Sequence, residues 1–381
     1  MKQEKLPDRA FVGIDLSAAR SNLRLLRRHA PAARLICTVK ANAYGHGAVR
    51  LSDLYAEAGA DMLAVATAAE ASELRRAGIS LPILVLGYTT PADAVALARE
   101  GVRICLFSRE QACAVSAAAA AAGVAVTVHI KIDSGMGRLG FAYTAEREIL
   151  ACTALPQLVF EGIFTHFAAA DTGGEGSAFT ALQHRRFATL LARLAASGLF
   201  FRLRHAANSA ALLAHPETHQ NAVRAGIALY GLSPFPDRRI PALTPILHLF
   251  APIVHIFPLA RGESVGYGRT YHAESARRIA VLPLGYADGI PRLAAEAGLS
   301  ARIGTRFCRF VGRVCMDMAM LDITDAPAAS LGALAEIYGG RGETAVETVA
   351  ARTKRIPYEV TCALGARLPR VYFEGKFPAH S

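Results

Sequence analysis

The sequence predicts an α/β fold in which a (β/α)8 TIM barrel, residues 1–240, precedes a mostly β domain, residues 241–381. Three observations predict it: eight short apolar runs recur in the first part, helical stretches separate most of them, and a proline-spaced segment ends the alternation. Residues 1 to about 12 precede the first barrel strand and are candidates to pair with the C-terminal domain instead.

The eight apolar runs are the candidate barrel strands. In chain order they are LICTVK (35–40), MLAVAT (62–67), PILVLGY (82–88), VRICLF (102–107), VAVTVHIKID (124–133), LVFEGIFTHF (158–167), FRLRHAANS (201–209) and AVRAGIALYG (222–231). The segments between most of them, such as PADAVALARE, have helical period. Eight such units in about 200 residues favour a closed barrel over the alternative, an open doubly wound sheet.

The pattern changes near residue 240, at SPFPDRRIPALTP, which has the proline spacing of a linker. Beyond it, ILHLFAPIVHIF, ESVGYGRTY and RRIAVLPLGY are strand-like runs punctuated by glycine. One late helical piece, ETAVETVAARTKR, precedes the final segment. These features predict a β-rich second domain.

Composition and charge are typical of a soluble globular protein. Hydrophobic residues make up 52% of the 381 residues, and we find neither a signal peptide nor an apolar window long enough to cross a membrane. The net charge of +11 raises the question of nucleic acid, but the arginines are dispersed and no helix-turn-helix, zinc-finger or RRM pattern is present. We therefore expect a basic surface that attracts a phosphorylated ligand, and neither a nucleic-acid nor a membrane partner.

The cysteines indicate a reducing compartment. They are odd in number, scattered, and include no C-x-x-C pair, which argues against a disulfide framework and against a thiolate zinc site. We expect all seven to be reduced core residues of a cytoplasmic protein, and no metal site: Cys37, Cys105, Cys113, Cys152, Cys308, Cys315 and Cys362.

Polar residues follow several predicted strands, where a (β/α)8 barrel carries its active site. They are Lys40, Lys131, Asp133, Arg138, His166, His205, Asn208, Ser209 and Arg224. A partly desolvated lysine can form a Schiff base or act as a base, and the glycine-spaced turn RAGIALYG offers backbone N–H groups to a phosphate. Together these features suggest pyridoxal 5'-phosphate (PLP), although each residue alone would equally fit a structural role.

Nine segments together carry a resemblance that covers nearly the whole chain. They are VKANAYGHG (39–47), HIKIDSGMGRLG (129–140), EGIFTHFAAAD (161–171), HAANSAA (205–211), VRAGIALYG (223–231), GESVGYGRTY (262–271), LGYADGIPR (284–292), VGRVCMD (311–317) and YEVTCALGARLPRVY (358–372). With these segments in this order, the sequence resembles the bacterial alanine racemases, which are fold-type III PLP enzymes.

The resemblance implies an alanine racemase that interconverts L-alanine and D-alanine through a PLP external aldimine, supplying D-alanine for peptidoglycan. It implies that Lys40 holds PLP and is one catalytic base, while Tyr267 is the second base. It also implies a homodimer with shared active sites, in which Tyr267 comes from the partner subunit and Met316 of that subunit lines the substrate site.

The resemblance assigns the other positions by role. Arg224 would face the pyridine nitrogen, with His205 supporting it and His166 linking it to Tyr267; Arg138 would bind the substrate carboxylate and be oriented by Lys131. The implied phosphate site consists of Tyr44, Ser209, Gly226, Ile227 and Tyr358, and the implied supporting residues are Asn208, Tyr286, Cys315 and Asp317.

Alternative functions remain open at this point. A related racemase with serine or broad specificity would share these residues, and Tyr358 only weakly favours alanine. A non-catalytic PLP-binding barrel would lack the β domain and its tyrosine, and a fold-type III decarboxylase would carry a different glycine-rich loop. The sequence departs from the pattern at Met318, where many relatives have glutamine, outside the residues assigned to catalysis.

Overall fold

The computed structural model describes residues 6–340 and 342–375. The described chain begins with a strand, β1 (Phe11–Asp15), that runs directly into helix α1 (Leu16–His29). Asp15 stops the strand and caps the helix, because its carboxylate accepts hydrogen bonds from the backbone N–H groups of Ser17 and Ala18 at 2.8 and 3.1 Å.

Eight parallel strands form a closed barrel, which confirms the predicted fold class. They are β2 (Arg34–Thr38), β3 (Met62–Val65), β4 (Ile83–Val85), β5 (Arg103–Leu106), β6 (Val126–Asp133), β8 (Leu158–Phe164), β9 (Leu203–His205) and β10 (Ala222–Ala225). β10 pairs with β2 and β5 pairs with β6, so no edge remains open. A two-residue strand, β7 (Phe141–Ala142), pairs in parallel with the end of β6.

The strands are shorter than the apolar runs that predicted them. The prediction that the first barrel strand ends at Lys40 is wrong, because pairing stops at Thr38 and Lys40 begins a separate turn. His166 and Ser209 likewise lie just beyond β8 and β9 rather than within them. In each case the apolar run continues into the loop that lines the barrel mouth.

Helices cover the outside of the barrel and part of the second domain. The remaining ones are α2 (Lys40–Tyr44), α3 (Ala48–Glu57), α4 (Ala68–Arg76), α5 (Pro91–Arg99), α6 (Arg109–Ala122), α7 (Glu146–Thr153), α8 (Glu175–Ala196), α9 (Ser209–Ala214), α10 (Val346–Arg352) and α11 (Pro357–Cys362). Of these, α2 is not a right-handed helix but a short left-handed turn at the barrel mouth. Short 3₁₀ turns occupy Pro216–Thr218, Ile227–Tyr230, Tyr267–Arg269, Tyr286–Asp288 and Gly342–Thr344.

The second domain is mostly β, as predicted. Its strands are β11 (Leu247–Pro252), β12 (His255–Leu259), β13 (Ser264–Val265), β14 (Tyr271–His272), β15 (Arg277–Leu282), β16 (Ser300–Ile303), β17 (Arg306–Arg309), β18 (Ala319–Asp322), β19 (Leu334–Tyr338) and β20 (Arg370–Phe373). β1 lies in its six-stranded sheet, antiparallel to β11 and parallel to β20. The N-terminal strand therefore ties the barrel to this sheet.

The core is mostly apolar, and three cysteines depart from expectation, since Cys315 is only partly buried. Cys37, Cys105, Cys152 and Cys308 are buried, whereas Cys113 and Cys362 are exposed, so the prediction that all seven are core residues is wrong. Cys113 lies on the solvent side of α6 and Cys362 at the end of α11, where packing does not cover them. Among the described residues, no helix combines the length and apolarity that crossing a bilayer requires.

Candidate active site

A left-handed turn carries Lys40 into the barrel mouth. The four residues that follow it, Ala41 to Tyr44, all have φ between 51° and 54°, which costs each non-glycine residue about 1–2 kcal/mol. Contacts from outside the turn offset this strain: Glu70 accepts from the Ala41 N–H at 2.7 Å, and the His46 ring donates to the carbonyls of Ala43 and Tyr44 at 2.8 and 2.9 Å. The strained turn therefore holds the lysine in place.

The turn also leaves no room beside its glycine exit. A Cβ on Gly45 would lie 2.2 Å from the carbonyl oxygen of Thr361, and Gly45 itself has a φ of 86°. Arg370 donates from Nε and Nη2 to the Gly45 carbonyl at 3.1 and 2.9 Å. The C-terminal part of the chain thus clamps the turn that follows Lys40.

The amine of Lys40 is held in an environment that disfavours its charge. Burial lowers the pKa of Lys40, the like charge of Arg138 lowers it further, and Glu70 opposes both. A lysine in these surroundings has a larger neutral fraction than a solvated one, and only the neutral amine is nucleophilic or basic. This property fits either Schiff-base formation or proton abstraction.

Arg224 is buried at the centre of the site, and among the described residues no carboxylate bonds to it. Its Nη1 donates to Nδ1 of His205 at 2.7 Å, and its Nη2 donates to Nδ1 of His166 at 3.0 Å and to the Thr165 carbonyl at 2.7 Å. Burial lowers the pKa of Arg224 to about 9, so the guanidinium stays charged at neutral pH. These bonds hold its position and leave a fixed cation facing the pocket.

A cradle of neutral donors lies between α9 and the end of β10. The hydroxyl of Ser209 accepts from the backbone N–H groups of Gly226 and Ala228 at 2.8 and 3.4 Å, so its own proton remains to be donated. A Cβ on Gly226 would lie 2.9 Å from the hydroxyl of Tyr44, and the rings of Tyr44 and Tyr358 are 5.8 Å apart. Hydroxyls and backbone N–H groups of this kind suit a phosphate.

Asn208, predicted as a supporting residue, has a local structural role next to this cradle. Its side chain accepts from the Ala211 N–H at 3.0 Å and caps α9, which begins at Ser209. The cap fixes where the helix starts. The orientation of the Ser209 hydroxyl follows from it.

Lys131 adds a second lysine to the pocket wall. It is buried on β6, with its amine 5.8 Å from the centre of the Phe164 ring, and burial lowers its pKa, as do the charges of Arg138, Arg224 and Lys40. Four cations therefore act on one another in this region. Such a concentration of positive charge favours anionic ligands, for example a carboxylate together with a phosphate.

The predicted residues of the second domain form a separate group. Tyr267 and Met316 are 69% and 53% exposed, and in the described residues no hydrogen bond or ring contact links either to Lys40. The backbone N–H groups of Tyr286 and Ala287 donate to the carbonyls of Cys315 and Met316 at 3.0 and 3.1 Å. Tyr286, Cys315 and Met316 therefore form one exposed corner outside the barrel mouth.

Two arginines, Arg367 and Arg313, contact the Met316 loop and the Tyr267 turn on this corner. Asp317 forms an ion pair with Arg367 at 2.8 Å, and Arg367 also bonds to buried Asp288 at 2.7 Å. A Cβ on Gly268, next to Tyr267, would lie 2.9 Å from an Nη1 atom of Arg313, two residues before Cys315. The Tyr267 turn and the Met316 loop are thus neighbours on one surface.

Two residues of the site were missed in the sequence analysis. Glu70 lies on a helix surface and is indistinguishable by sequence from a solvated acid, although its carboxylate holds the Lys40 turn. His129 was quoted in a motif but given no role. Because alternate residues of a strand share a face, its spacing of two from Lys131 could have predicted that both point into the barrel.

Comparison with known proteins gives the family. The profile of the alanine racemase N-terminal domain matches residues 14–234, and that of the C-terminal domain matches residues 246–372. The chain belongs to the alanine racemase family. The alanine racemase of Desulforamulus reducens is 44% identical over 364 residues, which are 94% of this chain and 97% of the relative. That of Desulfovibrio desulfuricans is 41% identical over 95% of this chain and 97% of its own length.

Solved alanine racemases share the whole fold. The enzyme of Clostridium difficile superimposes with a TM-score of 0.93 at 34% identity, covering 97% of both chains. That of Bacillus anthracis, solved with bound L-Ala-P, gives a TM-score of 0.90 at 33% identity over 97% of this chain and 96% of its own. The predicted family, fold and racemase class are therefore confirmed, and alanine racemases are PLP-dependent isomerases.

Proposed function

We propose that the protein interconverts L-alanine and D-alanine with PLP as cofactor, and that Lys40 and Tyr267 are its two bases. The observation that carries the proposal is the partly buried, charge-disfavoured amine of Lys40 in one pocket with Arg224 and the Ser209 cradle. When bound, PLP would supply an electron sink for the charge that forms at the substrate Cα. D-Alanine made in this way would serve peptidoglycan synthesis.

The residues of the pocket fit PLP. The cradle between Ser209 and Gly226 lacks a Cβ where one would crowd Tyr44, and its donors are neutral groups suited to a phosphate. Ser209, Tyr44, Tyr358 and the backbone of Gly226 and Ile227 would hold that phosphate. Lys40 would hold the aldehyde carbon covalently, because a neutral amine is required for that bond.

The cations of the pocket would orient the reactants. A guanidinium does not give up its proton, so Arg224 would leave the pyridine nitrogen unprotonated and limit the lifetime of the carbanion. His205 and His166 hold Arg224 from two sides. Arg138 would bind the substrate carboxylate, and Lys131 would orient Arg138. The two are close enough for the charge of Arg138 to lower the pKa of Lys131.

Racemisation requires a base on each face of the planar carbanion, because the group on one face removes the Cα proton and the group on the other face returns a proton. Nζ of Lys40 would serve one face and the phenol oxygen of Tyr267 the other. A base must lie within hydrogen-bond reach of the substrate Cα. Because Tyr267 is 69% exposed on the second domain, it would serve the pocket of the partner subunit rather than that of its own chain.

We infer that the partner is a second copy of this chain, in a homodimer with shared active sites. Tyr267, Met316 and Met318, together with Tyr286, expose a large apolar area on one corner of the second domain. Large exposed apolar patches are typical of interaction surfaces. Met316 of the partner subunit would line the substrate site, and the nearby Tyr286, Cys315 and Asp317 would support the loop.

The domain division and compartment belong to the same proposal. A boundary near residue 240 is supported by the proline-spaced segment there and by the helix–strand alternation before it. A cytoplasmic location is supported by seven cysteines that are all free.

A racemase with serine or broad amino-acid specificity is the second candidate. The ring of Tyr358 packs 5.8 Å from that of Tyr44 and would narrow the side-chain space, which favours alanine. A turnover assay by circular dichroism, with purified protein and PLP on alanine, serine and bulkier amino acids, distinguishes the two. Alanine should be converted fastest, and equal rates on serine would favour the broad enzyme.

Lys40→Ala tests the site itself. It should remove the absorbance of covalently bound cofactor and nearly all racemisation, because no other amine occupies that position. Lys354→Ala, which removes an exposed lysine of the second domain, is the matched control and should leave both unchanged. A Lys40→Ala protein that racemised alanine at the parent rate would refute the proposal.

A further inference from the structure

A chain of hydrogen bonds crosses the barrel from Arg224 to Glu161. Nη1 of Arg224 contacts Nδ1 of His205 at 2.7 Å, Nε2 of His205 contacts Nδ1 of His129 at 2.9 Å, and Nε2 of His129 contacts Oε2 of Glu161 at 3.2 Å. Both imidazoles are completely buried. At the far end, Arg103 donates to the same oxygen of Glu161 at 2.9 Å.

The chemistry of the two ends gives the chain a single direction. A guanidinium only donates, so Nδ1 of His205 accepts and its proton is on Nε2. That proton is donated to Nδ1 of His129, whose own proton is therefore on Nε2 and is donated to the carboxylate of Glu161. Burial lowers the pKa of both histidines, which agrees with two neutral rings.

The local strand pairing accommodates this hydrogen-bond chain. The pairing of β6 with β8 shifts register between Val128 and His129, and the extra residue in β8 is Glu161. A bulge re-aims a side chain, which accounts for the largely buried carboxylate at this position. The next residue is Gly162, where a Cβ would lie 2.5 Å from Nδ1 of His129.

We propose that Glu161 is a positioning residue that, through His129 and His205, keeps Nδ1 of His205 available as the acceptor that holds Arg224. Its effect on the reaction rests on the proposed function, in which Arg224 faces the cofactor. The proton positions themselves do not depend on that function. They can be measured on the protein without cofactor.

Removing the carboxylate creates a conflict between two donors. With Glu161→Met, the guanidinium of Arg103 faces Nε2 of His129 with no acceptor between them. Two neutral histidines in series offer only one free acceptor end, and Arg224 and Arg103 then compete for it. Whenever Arg103 prevails, both rings carry their protons on Nδ1, and His205 turns a donor towards Arg224.

The test is the protonation of the ring nitrogens, read by NMR of protein labelled with ¹⁵N-histidine and assigned by single substitutions. In the parent protein, His205 and His129 should both be neutral with the proton on Nε2. In Glu161→Met, the Nδ1–H form of His205 should appear. Glu161→Gln should restore the parent state, because the amide oxygen still accepts from His129 while the charge is gone.

Kinetics give a second readout. Loss of such a buried supporting bond should lower kcat on alanine by about 10- to 100-fold in Glu161→Met, by analogy with the outer-shell partners of metal sites. KM should change little, since Arg138 is untouched. The matched control is Glu336→Met, which removes another buried carboxylate bonded to a histidine, His248, at 2.7 Å, in the second domain. It should leave the state of His205 and kcat unchanged.

Two outcomes would overturn the proposal: a parent His205 with its proton on Nδ1, or a Glu161→Met protein with the parent proton positions and parent kcat. Should Glu161→Met not fold, the parent protein still tests the proposal, because it requires His205 and His129 both to carry their protons on Nε2. A protein with no racemase activity but the expected proton positions would refute the proposed function and still support the proposed hydrogen-bond chain.

Discussion

Nη2 of Arg224 lies 3.0 Å from Nδ1 of His166. Because the guanidinium only donates, Nδ1 of His166 accepts, and the proton of this ring is on Nε2. Burial lowers the pKa of His166 well below its usual range, and the charge of Arg224 lowers it further, so the ring is neutral. His166 therefore presents an Nε2–H donor to the site, which suits a partner that carries a phenolate.

Arg138→Met should raise the pH at which Lys40 takes up PLP. Burial, and then the like charge of Arg138, lower the pKa of Lys40 from 10.5, so removing that charge raises the pKa back towards 10.5. Since the neutral amine is the reactive form, the midpoint of the uptake rate against pH should move upwards. Stopped-flow absorbance of the apoprotein with PLP measures it. Arg147→Met, on the exposed face of α7, should leave the midpoint alone, and a downward shift would contradict the expected sign.

Tyr267→Phe should retain bound cofactor and lose proton exchange on one enantiomer of alanine. The phenol oxygen is the only part removed, and the opposite face keeps Lys40. Proton NMR of each enantiomer in deuterated buffer measures the exchange at Cα. The control is Tyr88→Phe, at an exposed tyrosine of the barrel, which should exchange both enantiomers at the parent rate. Parent-rate racemisation by Tyr267→Phe would exclude a two-base assignment.

Ser209→Ala should weaken PLP binding by about 10-fold or more, because a hydrogen bond to a charged group contributes about 1.5–3 kcal/mol. The change also leaves the N–H groups of Gly226 and Ala228 without their acceptor. Equilibrium titration of apoprotein by absorbance measures the dissociation constant. Ser116→Ala removes another buried serine, bonded to the Pro156 carbonyl at 2.7 Å, and should cost stability without changing PLP affinity. Equal affinities for the two variants would remove Ser209 from the phosphate site.

Met316→Glu should dissociate the proposed dimer and lower activity with it. A charge placed in a buried apolar contact is costly, whereas Met316 of an isolated chain is 53% exposed and tolerates it. Sedimentation velocity gives the oligomeric state, and activity should recover as protein concentration rises. Phe200→Glu, at a 73% exposed aromatic beyond α8 on the barrel, is the control and should remain dimeric. A Met316→Glu protein that stays dimeric would place the interface elsewhere.

Much of the fold can be predicted from the sequence, because the period of hydrophobic residues depends on local secondary structure. The eight apolar runs predicted all eight barrel strands, and the loss of helical period after residue 240 predicted the β domain. Strand ends were less accurate: the run LICTVK includes Lys40, yet pairing stops at Thr38. An apolar run marks burial, and burial continues past the last hydrogen bond of a strand into the barrel mouth.

The left-handed turn after Lys40 could not be predicted from local preference. None of Ala41, Asn42, Ala43 or Tyr44 is glycine, and a run of positive φ opposes their intrinsic tendency. The turn persists because Glu70, which lies 29 positions away from Ala41, and His46 satisfy its backbone groups. Contacts between distant parts of the chain override local propensity here.

The order of residues along the chain is enough to specify the barrel, the β domain and the family, since motif and period are local properties, and it makes Lys40 the candidate lysine of the site. Folding decides the rest. It brings Arg224, His205, His129 and Glu161 into one line of hydrogen bonds, and it leaves Tyr267 on the surface, away from Lys40. Proton positions depend on which groups meet across strands, and the proposed sharing of active sites depends on which groups meet between chains; packing in three dimensions sets both.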